Sequence, residues 1–176
     1  MSSIISLTGD LGSGKSTVSA ILCKTLDYQY VYTGEILRRI AERYGMTAHE
    51  LNVFAETHPE IDDEIDATFI NLSNSSNLVV DSRLAWHFIP TSFKVFLKAD
   101  MMVAAQRIFN DKERKSESYE SCEEAVKKIA ARKESEVKRY QKLYGVDCLD
   151  MSNYDLIVDT SNLTPQQVAD AILNSL

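Results

Sequence analysis

Short apolar runs punctuate the chain at Ile4 to Leu7, Gln29 to Tyr32, Leu78 to Asp81, Phe93 to Leu97 and Leu156 to Val158. Between them the apolar positions recur every three to four residues, the period of a helix with one buried side. Brief strand-like runs separated by helices predict an α/β fold. Its five-stranded sheet should be parallel and covered on both faces. A glycine-rich turn follows the first run and leads into a helical stretch from Lys15 to Leu26.

Between the second and third runs lie three helical patterns. The first places Ile36, Leu37, Ile40, Ala41 and Tyr44 on one side before Gly45 stops it. The second opens on Thr47 with the spelling T-A-H-E, in which Thr47 and Glu50 can cap each other. The third follows Pro59 and carries a stripe of Ile61, Ile65, Phe69 and Leu72. After the fourth run Asp100 can cap a helix through Phe109, and the sequence then turns polar and charged from Asn110 to Glu120, the best candidate for a lid. A long helix from about Ser121 to Tyr144 is expected to bury Cys122, Val126, Ile129, Val137, Tyr140 and Tyr144.

Composition narrows the function classes. At 176 residues, 44% hydrophobic and 26% charged, the chain suits one compact domain, 1–176. A net charge of -7 argues against general nucleic-acid binding, which depends on Lys and Arg displacing counterions from phosphates. Cys23, Cys122 and Cys148 lack metal-ligand spacing and read as reduced thiols. No apolar run approaches the roughly 20 residues of a bilayer span, and no basic leader precedes the first apolar residues. A cytoplasmic monomer with no membrane partner is expected.

The turn after the first run carries the chemistry. Residues 9–16, GDLGSGKS, fit the pattern G-x-x-x-x-G-K-[ST] between a predicted strand and a predicted helix. Gly9, Gly12 and Gly14 let backbone N–H groups curl around phosphates, with Ser13 and Thr17 beside them. Lys15 can reach the outer phosphates, and Ser16 can offer its hydroxyl to Mg2+. Asp10, acidic beside an anion site, is expected to point outward. Asp81 ends a buried run where a carboxylate can hold a Mg2+-bound water, and Arg83 follows beyond the same strand end. Thr33 and Gly34 close the second run, and Arg38 lies one helical turn on, able to present its planar fork to a phosphate. Arg132, Glu136 and Arg139 share one side of the long helix. Their spacing fits two guanidiniums braced by a carboxylate around a transferring phosphoryl group, and equally an ion-pair ladder in solvent. Asp62 and Asp66, one turn apart, could accept from the exocyclic amine of a base or simply form a solvated acidic side.

Read together, GDLGSGKST, YTGEILRRIAERYGM, HPEIDDEID, VVDSRLAW, ARKESEVKRYQKLYGVD and YDLIVDTSNLTP resemble the cytidylate kinase family, especially its shorter archaeal-type branch, over nearly the whole chain. The resemblance implies a P-loop core with a monophosphate-binding insertion at about 33–74 and a short lid at about 110–120. It implies ATP and Mg2+ at Lys15 and Ser16, the acceptor monophosphate at Thr33, Gly34, Arg38 and Arg83, and lid-side catalysis by Arg132 and Arg139 with Glu136 between them. Asp159, Thr160 and Ser161 would form the loop beside adenine. CMP, and dCMP less well, are the implied acceptors. Two departures stand out: Asp10 replaces a small or neutral residue, and Ser82 occupies a position where the family spelling has glycine. Rival readings are a kinase of AMP or dephospho-coenzyme A, a P-loop accessory ATPase acting on a partner protein, and a binding module without turnover.

Overall fold

The computed structural model describes residues 3–55, 57–111 and 119–176. Its sheet has five strands in the order β2-β3-β1-β4-β5, comprising β1 (Ile4–Gly9), β2 (Gln29–Tyr32), β3 (Leu78–Asp81), β4 (Phe93–Lys98) and β5 (Leu156–Asp159). Each neighbouring pair is parallel, as the run-and-helix pattern predicts. The helices are α1 (Lys15–Leu26), α2 (Thr33–Arg43), α3 (Ala48–Ala55), α4 (Pro59–Leu72), α5 (Ala85–Phe88), α6 (Met101–Asn110), α7 (Cys122–Tyr144) and α8 (Pro165–Leu173).

Strand pleating divides the core in two. Ile4, Leu78 and Val80 point to one side of the sheet and pack with Ile36, Ile40, Ile61 and Phe69 of the helices between β2 and β3. Ile5, Leu7, Val79, Val95 and Leu97 point to the other, against Val18 and Leu22 of α1 and Val168 and Ile172 of α8. Strands apolar on both sides are what a sheet covered twice requires, which is why LVVD carries no polar alternation.

Several local signals hold in detail. Thr47 and Glu50 cap one another, with Glu50 N–H donating to the Thr47 hydroxyl at 3.2 Å and Thr47 N–H to the Glu50 carboxylate at 2.7 Å. Asp100 accepts from the N–H groups of Met102 and Val103 at the start of α6. Ser121 caps α7, and Gly145 ends it in the left-handed conformation, φ 68°. The proposed lid falls largely on residues 112–118, outside the described residues. Ser82 meets no backbone difficulty. The non-glycine residues at positive φ among those described are Asp27 and Asn77, and the Ser82 hydroxyl accepts from Leu84 N–H at 3.2 Å ahead of α5.

Candidate active site

One cleft of about 1040 Å³ runs along the carboxyl ends of β1, β2 and β3 and is walled by α1, α4 and α7. The end at the glycine-rich loop is built of backbone. A Cβ on Gly9, where φ is +148°, would lie 2.2 Å from the Leu97 carbonyl oxygen, and one on Gly12, where φ is +73°, 2.6 Å from the Ala104 carbonyl oxygen. Space and conformation both demand glycine there, and the loop is consequently pressed against β4 and α6. Gly14 stands at the N-cap of α1, and the Ser13 hydroxyl donates to the Asp10 carbonyl at 2.8 Å. Lys15 Nζ turns back on its own loop, donating to the carbonyls of Gly9 at 3.0 Å and Asp10 at 2.9 Å. Burial, with Arg83 adding its charge, lowers the Lys15 pKa to about 8. Ser16 and Thr17 line the cleft on the first turn of α1.

Asp81 lines the cleft and accepts from the Tyr30 hydroxyl at 3.0 Å. The described residues contain no group of three or more His, Cys, Asp or Glu arranged as a ready cation cage. A hydroxyl and a carboxylate opening on a phosphate loop suit Mg2+, which keeps several waters and takes its remaining oxygens from phosphates.

The arginines group differently from their spacing on the helix. Glu136 uses one oxygen for Arg132 Nε and the other for Arg83 Nε, each at 3.0 Å. Arg83 also donates to the Gly9 carbonyl, so it spans α7 and the phosphate loop. Arg139, expected in the same unit, instead reaches across the cleft to Asp62 Oδ1 at 2.9 Å. Helix periodicity put Glu136 between its two neighbours on α7; it could not show that the turn after β3 brings Arg83 alongside.

The opposite end of the cleft, expected to take the acceptor, is built of side chains. Phe69 and Phe88 stack with centroids 6.1 Å apart, and Tyr144 meets Phe88 edge-on at 5.5 Å. Leu37, Ile61 and Ile65 complete the apolar walls. Tyr144, expected in the core, turns its hydroxyl into the cleft and donates to Asp66 Oδ1 at 3.1 Å. Burial raises the Asp66 carboxyl to about 6 even though that hydrogen bond opposes the shift. Thr33 and Gly34 line the cleft, and the Thr33 hydroxyl reaches the Asp81 carbonyl at 3.4 Å. Arg38 lies over the Tyr32 ring, 5.2 Å from its centroid, and is not part of the cleft wall.

Asp10 does not point outward. Its carboxylate accepts from Ala99 N–H at 3.0 Å and pairs with Lys133 at 2.7 Å, because the tight loop turns the side chain towards β4 and α7. Thr160 is buried; its hydroxyl donates to the Lys98 carbonyl at 3.1 Å and accepts from Arg107. Arg107 was missed in the sequence. It donates at 2.7 Å to the Thr160 carbonyl and at 3.3 Å to the Gly12 carbonyl, joining the phosphate loop to the loop after β5. A basic residue in the last turn of α6 was its sole signal.

The fold is that of the P-loop kinases: shikimate kinase from Bacteroides thetaiotaomicron superposes with a TM-score of 0.68 at 15% identity, covering 97% of this chain and 96% of that one. The family model for the cytidylate kinase-like family matches residues 4–162, and the chain belongs to that family. A cytidylate kinase of Pyrococcus abyssi is 40% identical over 94% of this chain and 88% of its own. An S-adenosylmethionine-dependent nucleotide dehydratase of Lacinutrix mariniflava is 38% identical over 98% of this chain, which spans 36% of that protein. No described helix is long and apolar enough to cross a membrane.

Proposed function

We propose that the protein transfers the γ-phosphoryl group of ATP to CMP, giving ADP and CDP, with dCMP a poorer acceptor. The observation that carries this reading is one cleft with a phosphate loop at one end and an aromatic slot edged by Asp62 and Asp66 at the other. The 40% identity to a cytidylate kinase supports the same acceptor.

In this reading ATP lies with its phosphates on the backbone of Gly9, Gly12, Ser13 and Gly14 and its base near Thr160. Lys15 leaves the loop carbonyls for the outer phosphates, aided by Ser16 and Thr17 at the helix start. Ser16 and Asp81 would hold Mg2+, which would supply positive charge beside the phosphates. Thr33, Gly34 and Arg83 take the acceptor phosphate, joined by Arg38 once it leaves the Tyr32 ring for the cleft, with Glu136 fixing Arg83 and Arg132. Phosphoryl transfer asks a protein mainly for alignment and opposing charge, so Lys15, Arg132 and Arg139 are the catalytic groups. In the slot, a carboxylate accepts from the N4 amine of cytosine and repels the O4 of uracil; adenine also bears an exocyclic amine, so rejecting AMP falls to the size of the slot. The 33–74 insertion and the 110–120 lid belong with the core to one kinase domain, acting as a cytoplasmic monomer.

The test is a panel of CMP, dCMP, UMP, AMP and GMP with ATP and Mg2+, following ADP. ADP formation that depends on CMP and exceeds that with UMP and AMP is expected; equal efficiency with AMP overturns the cytosine assignment.

A further inference from the structure

Backbone packing between α4 and α7 is sparse at most; long side chains join them across the cleft. Arg139 from α7 pairs with Asp62 at 2.9 Å, and five residues on Tyr144 donates to Asp66 at 3.1 Å, one turn further along α4. The pairings differ in kind. Tyr144 is a neutral donor, whereas Arg139 is a cation whose partner is left as an uncompensated carboxylate when it departs. Asp62 is the more enclosed of that pair, with its side chain 19% exposed against 48% for Arg139, so its loss of a partner is felt more strongly.

We infer that Asp62 couples base recognition to catalysis by sharing its carboxylate between Arg139 and the exocyclic amine of the acceptor base. This rests on the kinase reading above. Arg139 turns to the phosphates at the expense of its contact with Asp62. When the slot holds cytosine, the neutral N4 amine donates to the carboxylate that Arg139 leaves, so the hydrogen bond is replaced and the lost ion pair is offset in part. When it holds uracil, the departing arginine would leave Asp62 facing the O4 lone pairs, so Arg139 stays in place and the transferring phosphoryl group lacks its charge. Discrimination between the pyrimidines is therefore expressed in kcat, because it acts on an arginine needed only during transfer. Asp66 has no such link to a catalytic group and acts on binding.

Steady-state kcat and KM for CMP and UMP are measured separately in the wild type, Asp62→Asn, Asp62→Ala and Asp66→Asn. In the wild type the CMP preference should lie mainly in kcat. Both Asp62 variants should raise kcat for UMP relative to CMP by about fivefold, the scale of a half-exposed ion pair. Asp66→Asn should raise KM for CMP and leave the kcat ratio unchanged. A preference residing in KM, or an unchanged kcat ratio in both Asp62 variants, overturns the coupling while leaving the kinase reading intact. Wild-type protein without acceptor-dependent ADP formation overturns the kinase reading itself.

Discussion

The two ends of the cleft are made by different means. At the donor end the ligand surface is backbone, shaped by Gly9 and Gly12 pressed on β4 and α6, where even a methyl group has no room. At the acceptor end it is an assembly of side chains drawn from α2, α4, the turn after β3 and α7. A backbone site has one geometry and recognises what all nucleoside triphosphates share. A side-chain site can be retuned by single substitutions, and in the proposed reaction it is where selectivity resides.

The largest effect should follow from damage to the donor end. Lys15→Ala removes the ammonium that turns from the loop carbonyls to the phosphates, and turnover should fall by orders of magnitude. Because Lys15 also donates to two loop carbonyls, a melting curve is needed to separate lost catalysis from a loosened loop. Turnover within a few-fold of wild type would show that the loop does not hold the transferring phosphate. Arg132→Ala should cost about 3 kcal/mol of transition-state stabilisation, read as a fall in kcat with little change in either KM. Unchanged kcat would return the Arg132–Glu136 pair to the surface.

Arg38→Ala and Arg83→Ala sharpen the contrast between the ends. In the proposed complex Arg38 leaves the Tyr32 ring to give the acceptor phosphate one charge-assisted contact, so its removal should raise KM for CMP by about tenfold and spare ATP. Arg83 bridges Glu136 and the Gly9 carbonyl, so its removal should weaken both ligands. Titration with each nucleotide tells these patterns apart.

The smallest effects concern pH and should oppose one another at the two ends. Lys15 is held near 8, against an ordinary 10.5, so kcat/KM for ATP should decline above pH about 8 as the free enzyme loses that charge. Stability should move the other way: between these values the folded protein sheds the proton first, so the penalty of burying the ammonium is relieved as pH rises. Asp66, raised to about 6, should give kcat/KM for CMP an acid limb, since its protonated form cannot accept from an amine in the same way. Rate profiles with each substrate limiting would show both limbs, and a flat CMP profile between pH 5 and 7 would remove Asp66 from the base site.

The same division explains what could be read from the sequence. Strands β2 and β3 and helix α1 have the bounds that their apolar pattern predicts, because burial on both sides of a sheet leaves a local mark. The phosphate loop was equally plain, since glycines required by backbone geometry sit at fixed spacing. The acceptor end was legible as a set of residues and not as a set of contacts. Asp62 with Arg139, Asp66 with Tyr144 and Arg83 with Glu136 each join distant parts of the chain, and no local period encodes such a pair. Asp10 misled for a related reason: an acid beside an anion site suggests solvent until its cationic partner, Lys133, is placed next to it.

That Asp10–Lys133 tie has a mechanical consequence. Helix α7 is fastened three times along its length: Ala125 and Ile129 are buried with Ala105 and Ile108 of α6, Lys133 is pinned to the phosphate loop, and Val137 and Tyr140 pack with Trp86, Phe96 and Tyr154. A beam clamped at three points does not swing. In the proposed reaction, narrowing the cleft would therefore bring α2–α4 towards α7, with that helix the anvil against which the acceptor is pressed.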